Sequence, residues 1–143
     1  MSAADGPSML AKTRWAVVGD ALNPAKPAFA VAERLRARGK TVHLVNPRER
    51  NGRCFLSLAE AAAAAAAAAD DAASDAAAAS GAAAIDVVDL IISPKLGPSV
   101  IEEMRSLGIP DVFIQPGAGS DEIRDACREA GIRVHEGCVL REL

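Results

Sequence analysis

The sequence predicts an α/β protein built on a parallel sheet of about five strands, with helices on both faces in three layers. Three observations carry this. Short apolar runs alternate with helical patterns along most of the chain. The runs are continuously hydrophobic, as strands buried on both faces are, and do not alternate with polar residues. Each helical pattern fills the interval between two runs, and that is the length and place of a right-handed crossover.

The elements follow in order. Residues 15–18 form the first run, and Gly19 ends it. After a loop containing proline, Phe29, Val31, Ala32 and Leu35 recur at helical spacing as far as Arg38, with Gly39 as the stop. Residues 41–45 are short and β-branched, a second strand closed by Asn46 and Pro47. Residues 87–92 are a third strand, bounded by Ser93 and Pro94. A helix over 98–107 turns Val100, Ile101 and Met104 inward and Glu102 and Glu103 outward, and Gly108 ends it. Residues 111–114 are a fourth strand. Ser120 then caps a helix whose first turn holds Asp121 and Glu122, both favourable at the positive end of the helix dipole. Gly131 stops that helix, and residues 132–135 make the fifth strand. The sum is a doubly wound, Rossmann-like sheet.

Two segments fit less well. Residues 1–12 read as a flexible N-terminal tail ahead of a single domain over 13–143. Roughly three-quarters of residues 59–84 is alanine, interrupted by Asp70, Asp71, Asp75 and Ser80-Gly81. Ser57 and Leu58 open a helix into this tract, but polyalanine has no large side chains to anchor it. It therefore reads as a partly ordered, low-complexity insertion. Without it and the tail, about 105 residues remain, near the common domain size.

Composition removes several classes. Of the 143 residues, 50% are hydrophobic, yet no run of about 20 large apolar residues exists to span a membrane. The start lacks the apolar stretch of a secretory signal, and Asp5 with few early arginines argues against a mitochondrial presequence. Sixteen basic against nineteen acidic residues, a net charge of −3, do not suggest a nucleic-acid binder. Cys54, Cys127 and Cys138 form no C-x-x-C pair and read as free thiols of a cytoplasmic, reducing compartment.

In a doubly wound sheet, ligands bind beyond the carboxyl ends of the strands. The loops that count are 19–27, 46–53, 93–98 and 115–120, all rich in Gly, Pro, Asn or Ser. Such loops need those residues with or without a ligand. The first loop keeps Gly19 alone of the three glycines of a dinucleotide fingerprint. No acidic residue follows the second strand; Arg48, Arg50 and Arg53 stand there instead. Basic groups at that position favour a phosphorylated ribose over a bare diol, so plain NAD is disfavoured and an NADP-type nucleotide stays open. A solvated basic loop is the ordinary alternative.

Val17, Val18 and Gly19, then Asn23-Pro24 and Lys26-Pro27, then Val45, Asn46 and Pro47 together resemble the small single-domain CoA-binding proteins. That family is similar to the CoA-binding domain of the succinyl-CoA synthetase α subunit. The likeness continues through Ser57-Leu58, residues 86–90, Pro94, Gln115 with Gly117, Ala130-Gly131, and Cys138 with Glu142. The resemblance implies a non-catalytic module for coenzyme A or acyl-CoA. The family's first loop falls on Gly19, Asp20, Ala21, Lys26 and Pro27, and its Asn-Pro-basic turn on Asn46, Pro47 and Arg48. The site it implies also takes in Asn23, Pro24, Val45, Ser93, Pro94, Lys95, Gln115 and Gly117. Pyrophosphate would lie at a helix start beside Lys26, with the adenosine and its 3′-phosphate at the second turn. The chain departs from the family at three positions: Asp20 replaces an alanine, Ala21 a serine, and Ile92 stands where relatives often carry arginine. These departures motivate the alternative of a domain that kept the fold, lost the ligand and serves as a protein-interaction scaffold.

No catalytic set or metal-ligand spacing stands out. His43 lies within a strand and reads as a structural histidine. His135, Glu136 and Cys138 cluster at the end of the fifth strand, where a thiol beside an imidazole gains reactivity. A mixed disulfide between Cys138 and CoA is the redox form of that idea.

Overall fold

The structure, a computed structural model, describes residues 5–48, 53–71 and 84–143. Arg50, Asp75 and the Ser80-Gly81 interruption lie outside the described residues. In chain order the elements are α1 (Asp5–Leu10), β1 (Arg14–Gly19), α2 (Pro27–Ala37), β2 (Thr41–Val45), α3 (Leu58–Asp71), β3 (Val87–Ile91), α4 (Gly97–Leu107), β4 (Asp111–Ile114), α5 (Asp121–Ala130), β5 (Arg133–Glu136) and α6 (Val139–Glu142). The five strands form one parallel sheet in the order β2-β1-β3-β4-β5. From β1 the chain winds outward to β2, then crosses back to start β3 on the far side of β1. That reversal makes the β1–β3 boundary the topological switch point.

The continuous apolar runs divide between two faces. Trp15, Val17 and Phe113 face one core with Val31 and Leu35 of α2 and Val139 of α6. Ala16, Val18, Val88, Leu90, Val112 and Ile114 face the other, with Ile101 and Met104 of α4 and Ile123 of α5. Helix ends follow the predicted signals. The Ser120 hydroxyl accepts a hydrogen bond from the Ile123 N–H at 3.2 Å, and Gly108 and Gly131 close α4 and α5 with φ of 74° and 73°.

The structure corrects one expectation. Residues 5–10 are not a flexible tail but a helix, with Met9 fully buried beside Trp15 and Phe113. The Lys40 ammonium donates to the Leu10 carbonyl at 2.6 Å, and Lys12 pairs with the buried Asp111. One methionine in six residues makes no periodic pattern, so tertiary packing alone reveals this element.

The alanine tract is helical over residues 58–71, where α3 begins the crossover from β2 to β3. Leu58, Ala61 and Ala65 are buried against the core on the α4 face. The anchor comes from a neighbour: Glu103 of α4, expected to point outward, accepts from the N–H groups of Leu58 (3.4 Å) and Ala59 (3.3 Å). Ser57 adds a cap, accepting from the Glu60 N–H at 3.2 Å.

Charged groups gather at the amino ends of the strands. Asp111 also meets Arg133, and Arg14 grips Asp86 through two guanidinium contacts and its own N–H. Burial pushes the Asp86 carboxyl up, but these hydrogen bonds outweigh it and hold the group below its ordinary value. Asp89 has no such help. It sits mid-β3, fully buried, and neither carboxylate oxygen has a partner among the described residues. Burial alone pushes its pKa well above the usual carboxylate range.

Candidate functional site

Each strand of the sheet delivers a loop to the same edge, and the two that matter most follow β1 and β3. In the first, the Asn23 side chain accepts from the Ala25 N–H at 3.0 Å, and its carbonyl accepts from the Lys26 N–H at 2.9 Å. This turn delivers Pro27 to the start of α2, where a missing N–H costs nothing. After β2, the Asn46 side chain accepts from the Arg48 N–H at 3.0 Å and shapes the basic turn.

These loops and the β3–α4 loop enclose a cleft of about 480 Å³ at the switch point. Asp20, Lys26 and Pro27 line it from the first loop, Asn46 and Arg48 from the second, and Ser93 from the third. Ala28, Ile91, Ile92 and Leu96 complete the wall and give it an apolar side. Both flanking helices start here, because Ala28 belongs to the first turn of α2 and Leu96 is the N-cap of α4. Neither start has a side-chain cap or an acidic residue in its first turn. By contrast, α5 is capped by Ser120 and carries Asp121 and Glu122. The two helix starts that meet at the cleft are therefore the ones left free to receive an anion.

Charge in the cleft is mixed. None of Asp20, Lys26 and Arg48 forms an ion pair among the described residues. Asp20 is half-buried and lies in the wall without pairing to Lys26.

The other predicted site residues part from this group. Gly19 is buried where β1 and β3 come closest; a Cβ there would lie 2.4 Å from the Ile91 carbonyl oxygen, so packing alone demands glycine. Ala21 and Val45 turn into the two cores. Asn23 and Pro24 are exposed in the turn, and Pro47, Pro94 and Lys95 lie near the cleft without lining it. Gln115 and Gly117 line a second, smaller cleft of about 220 Å³ beyond β4 and β5. There the Gln115 side-chain amide oxygen accepts from the Val139 N–H at 2.9 Å, and Arg124 pairs with Glu136 at 2.8 Å. That pairing raises the Arg124 pKa and lowers that of Glu136.

The residues weighed for chemistry lie apart from the main cleft. His43 is half-buried on β2 against the Phe55 ring, with centroids 6.0 Å apart and Nδ1 without a partner among the described residues; burial lowers its pKa. His135 pairs with Glu142 at 2.8 Å and packs against the Phe113 ring at a tilt of 54°, while Glu142 also accepts from the Cys138 N–H at 2.9 Å. The carboxylate of Glu142 thus ties His135 to the backbone of Cys138. Two lining residues, Ala28 and Ile91, carried no sequence signal of their own, since they are ordinary apolar residues placed by the ends of α2 and β3.

No helix among the described residues is long and apolar enough to cross a membrane. No curated protein matched the sequence. Among solved structures, the chain is similar to a protein from Pyrococcus horikoshii, with 26% identity and a TM-score of 0.76 over 99% of this chain and 89% of that one. A protein from Pyrococcus furiosus is 28% identical, with a TM-score of 0.69, covering 92% of this chain and all (100%) of its own. One from Thermus thermophilus, at 22% identity and a TM-score of 0.68 over 98% and 94% of the two chains, shares the fold. Residues 13–143 match the profile of a family described as a CoA binding domain. With that match spanning nearly all of the sheet and every loop around the cleft, the chain belongs to the CoA-binding domain family.

Proposed function

We propose that the protein is a non-catalytic module that binds coenzyme A, as free CoA or acyl-CoA, in the cleft at the β1–β3 switch point. One observation carries the assignment of the site. In a member of a CoA-binding family, the two uncapped helix starts, Lys26 and Arg48 all meet at one cleft. The ligand offers a diphosphate and a 3′-phosphate, and the cleft offers matching groups for both. The start of α2 with Lys26 would hold the diphosphate. Arg48, fixed by the Asn46 turn, would meet the 3′-phosphate. The apolar wall of Ile91, Ile92 and Leu96 would face the uncharged portion of the ligand.

The reading includes no covalent step. Lysine, arginine, asparagine and serine in the wall recognise phosphate and sugar, and His135 is engaged with Glu142 at the end of β5.

Calorimetric titration with CoA, dephospho-CoA and NADP at one salt concentration tests the proposal. CoA is expected to bind more tightly than dephospho-CoA, and Lys26→Ala and Arg48→Ala are each expected to weaken CoA by about tenfold. Equal affinity for CoA and dephospho-CoA would remove the role given to Arg48. NADP binding with no competition from CoA would replace the ligand class. A ligand at about 100 times its Kd should also stabilise the fold by roughly 2.7 kcal/mol, which thermal unfolding reads independently.

A further inference from the structure

We propose that the outer edge of β2 binds an extended acidic segment of a partner protein as an added strand. β2 is an edge strand of the sheet. The Thr41 N–H donates inward to the Thr13 carbonyl at 2.8 Å, so the backbone groups of Val42 and Leu44 point outward. One residue already uses this edge. Phe55 bridges Val45 in the parallel sense, its N–H donating to the Leu44 carbonyl and its carbonyl accepting from the Asn46 N–H, both at 2.9 Å. The pairing stops there. The N–H and carbonyl of Val42 and the N–H of Leu44 have no partner among the described residues. Beside them lies a groove of about 220 Å³. Val42 and Leu44 line it on the α2 face with Arg36, and His43 and the Phe55 ring line it on the other face. Leu56, next to Phe55, is the one large apolar side chain left exposed among the described residues. A strand laid in this groove would pair the three open backbone groups and send alternate side chains to the two walls.

Charge selects the occupant. Residues 26–53 carry eight basic and two acidic side chains in a chain whose net charge is −3, so the basic groups concentrate around α2 and β2. Elsewhere the fold matches arginine with carboxylate, at Arg14, Arg105, Arg124 and Arg128. Arg36 and Arg38 form no ion pair among the described residues. A strand with acidic residues at alternate positions would bring a carboxylate to Arg36 and apolar side chains to the Phe55 wall. A second copy of this chain fits less well, because its own β2 would bring a second set of these arginines to the seam. RNA would match the charge and leave the backbone groups of the edge unpaired.

The test is fluorescence anisotropy of labelled peptides of about nine residues with the full chain at one salt concentration. One peptide alternates glutamate and valine, and a second alternates lysine and valine. A third is the first with its central backbone nitrogens methylated. The glutamate peptide is expected to bind saturably, at least about tenfold more tightly than either of the others. Arg36→Glu, an exposed change on α2, is expected to weaken that binding by about tenfold while circular dichroism stays native. Equal affinity for the first and third peptides would overturn strand addition, leaving charge alone. Absence of glutamate-peptide binding would overturn the proposal and leave the arginines as guards against self-pairing of the edge. Binding of a uridine oligonucleotide in place of the peptide would overturn it in favour of nucleic acid. A dimer of the chain alone that slows hydrogen exchange at residues 42–44 would overturn it in favour of a second copy.

Discussion

Asp89 sets the sharpest constraint on any single residue of the sheet. It is fully buried in the middle of β3, neither oxygen has a partner among the described residues, and burial pushes its carboxyl well above the ordinary carboxylate range. Between the ordinary value and the raised one, the folded chain keeps a proton that the unfolded chain releases. Stability therefore falls as pH rises through that window. Asp86 has the opposite sign. The contacts from Arg14 hold it below its ordinary value, so its contribution is present above that value and is lost as pH falls through the folded one. Urea unfolding of Asp89→Asn across this range should show a flatter pH dependence than the wild type. At neutral pH the variant should match the wild type or exceed it by up to about 2 kcal/mol. A loss of that size would instead mean that the carboxylate is charged and paired in the native state.

Among the residues that line the cleft, Asp20, Lys26, Asn46, Arg48 and Ser93 were legible in the sequence because polar residues just beyond strand ends have a fixed place in a parallel sheet. Ala21 and Val45 were not separable from them, since a turn decides which side of the loop faces the core. Gln115 was drawn to the second cleft for a related reason: its amide is used to hold the Val139 N–H.

At the scale of elements, the strand positions along the chain and the helix stops followed from apolar runs and from the glycines at 108 and 131. The element that was missed and the one whose anchor was not visible share one physical feature, namely that a distant partner holds them. For α1 the partner is the core that receives Met9. Met9→Ala is expected to lower unfolding free energy by about 2–4 kcal/mol, measured by denaturant titration, through lost burial and the cavity left behind. A change below about 0.5 kcal/mol would mean that the helix does not contribute to the folded core. For α3 the partner is Glu103, whose carboxylate meets the first N–H groups of a helix rich in alanine. Glu103→Ala should cost about 1 kcal/mol by freeing those groups. Hydrogen exchange should then speed up at residues 58–62 more than at α5. Uniform exchange across both helices would show that the cap is not the anchor.

At the scale of the molecule, the sheet order explains why one cleft combines so many features. Only at the β1–β3 boundary do crossovers leave in opposite directions, so α2 and α4 diverge from it and their amino ends face a shared space. The family match points to the ligand class, and the topology is the ground for the proposed place. The most direct measurement is a two-dimensional amide NMR spectrum of the labelled protein during titration with CoA. Binding at the switch-point cleft is expected to give the largest shifts at residues 20–28, 46–48 and 93–97, with Gly117, Gly119 and Gly137 little changed. Shifts concentrated at those three glycines, or none at saturating CoA, would contradict the assignment of the switch-point cleft.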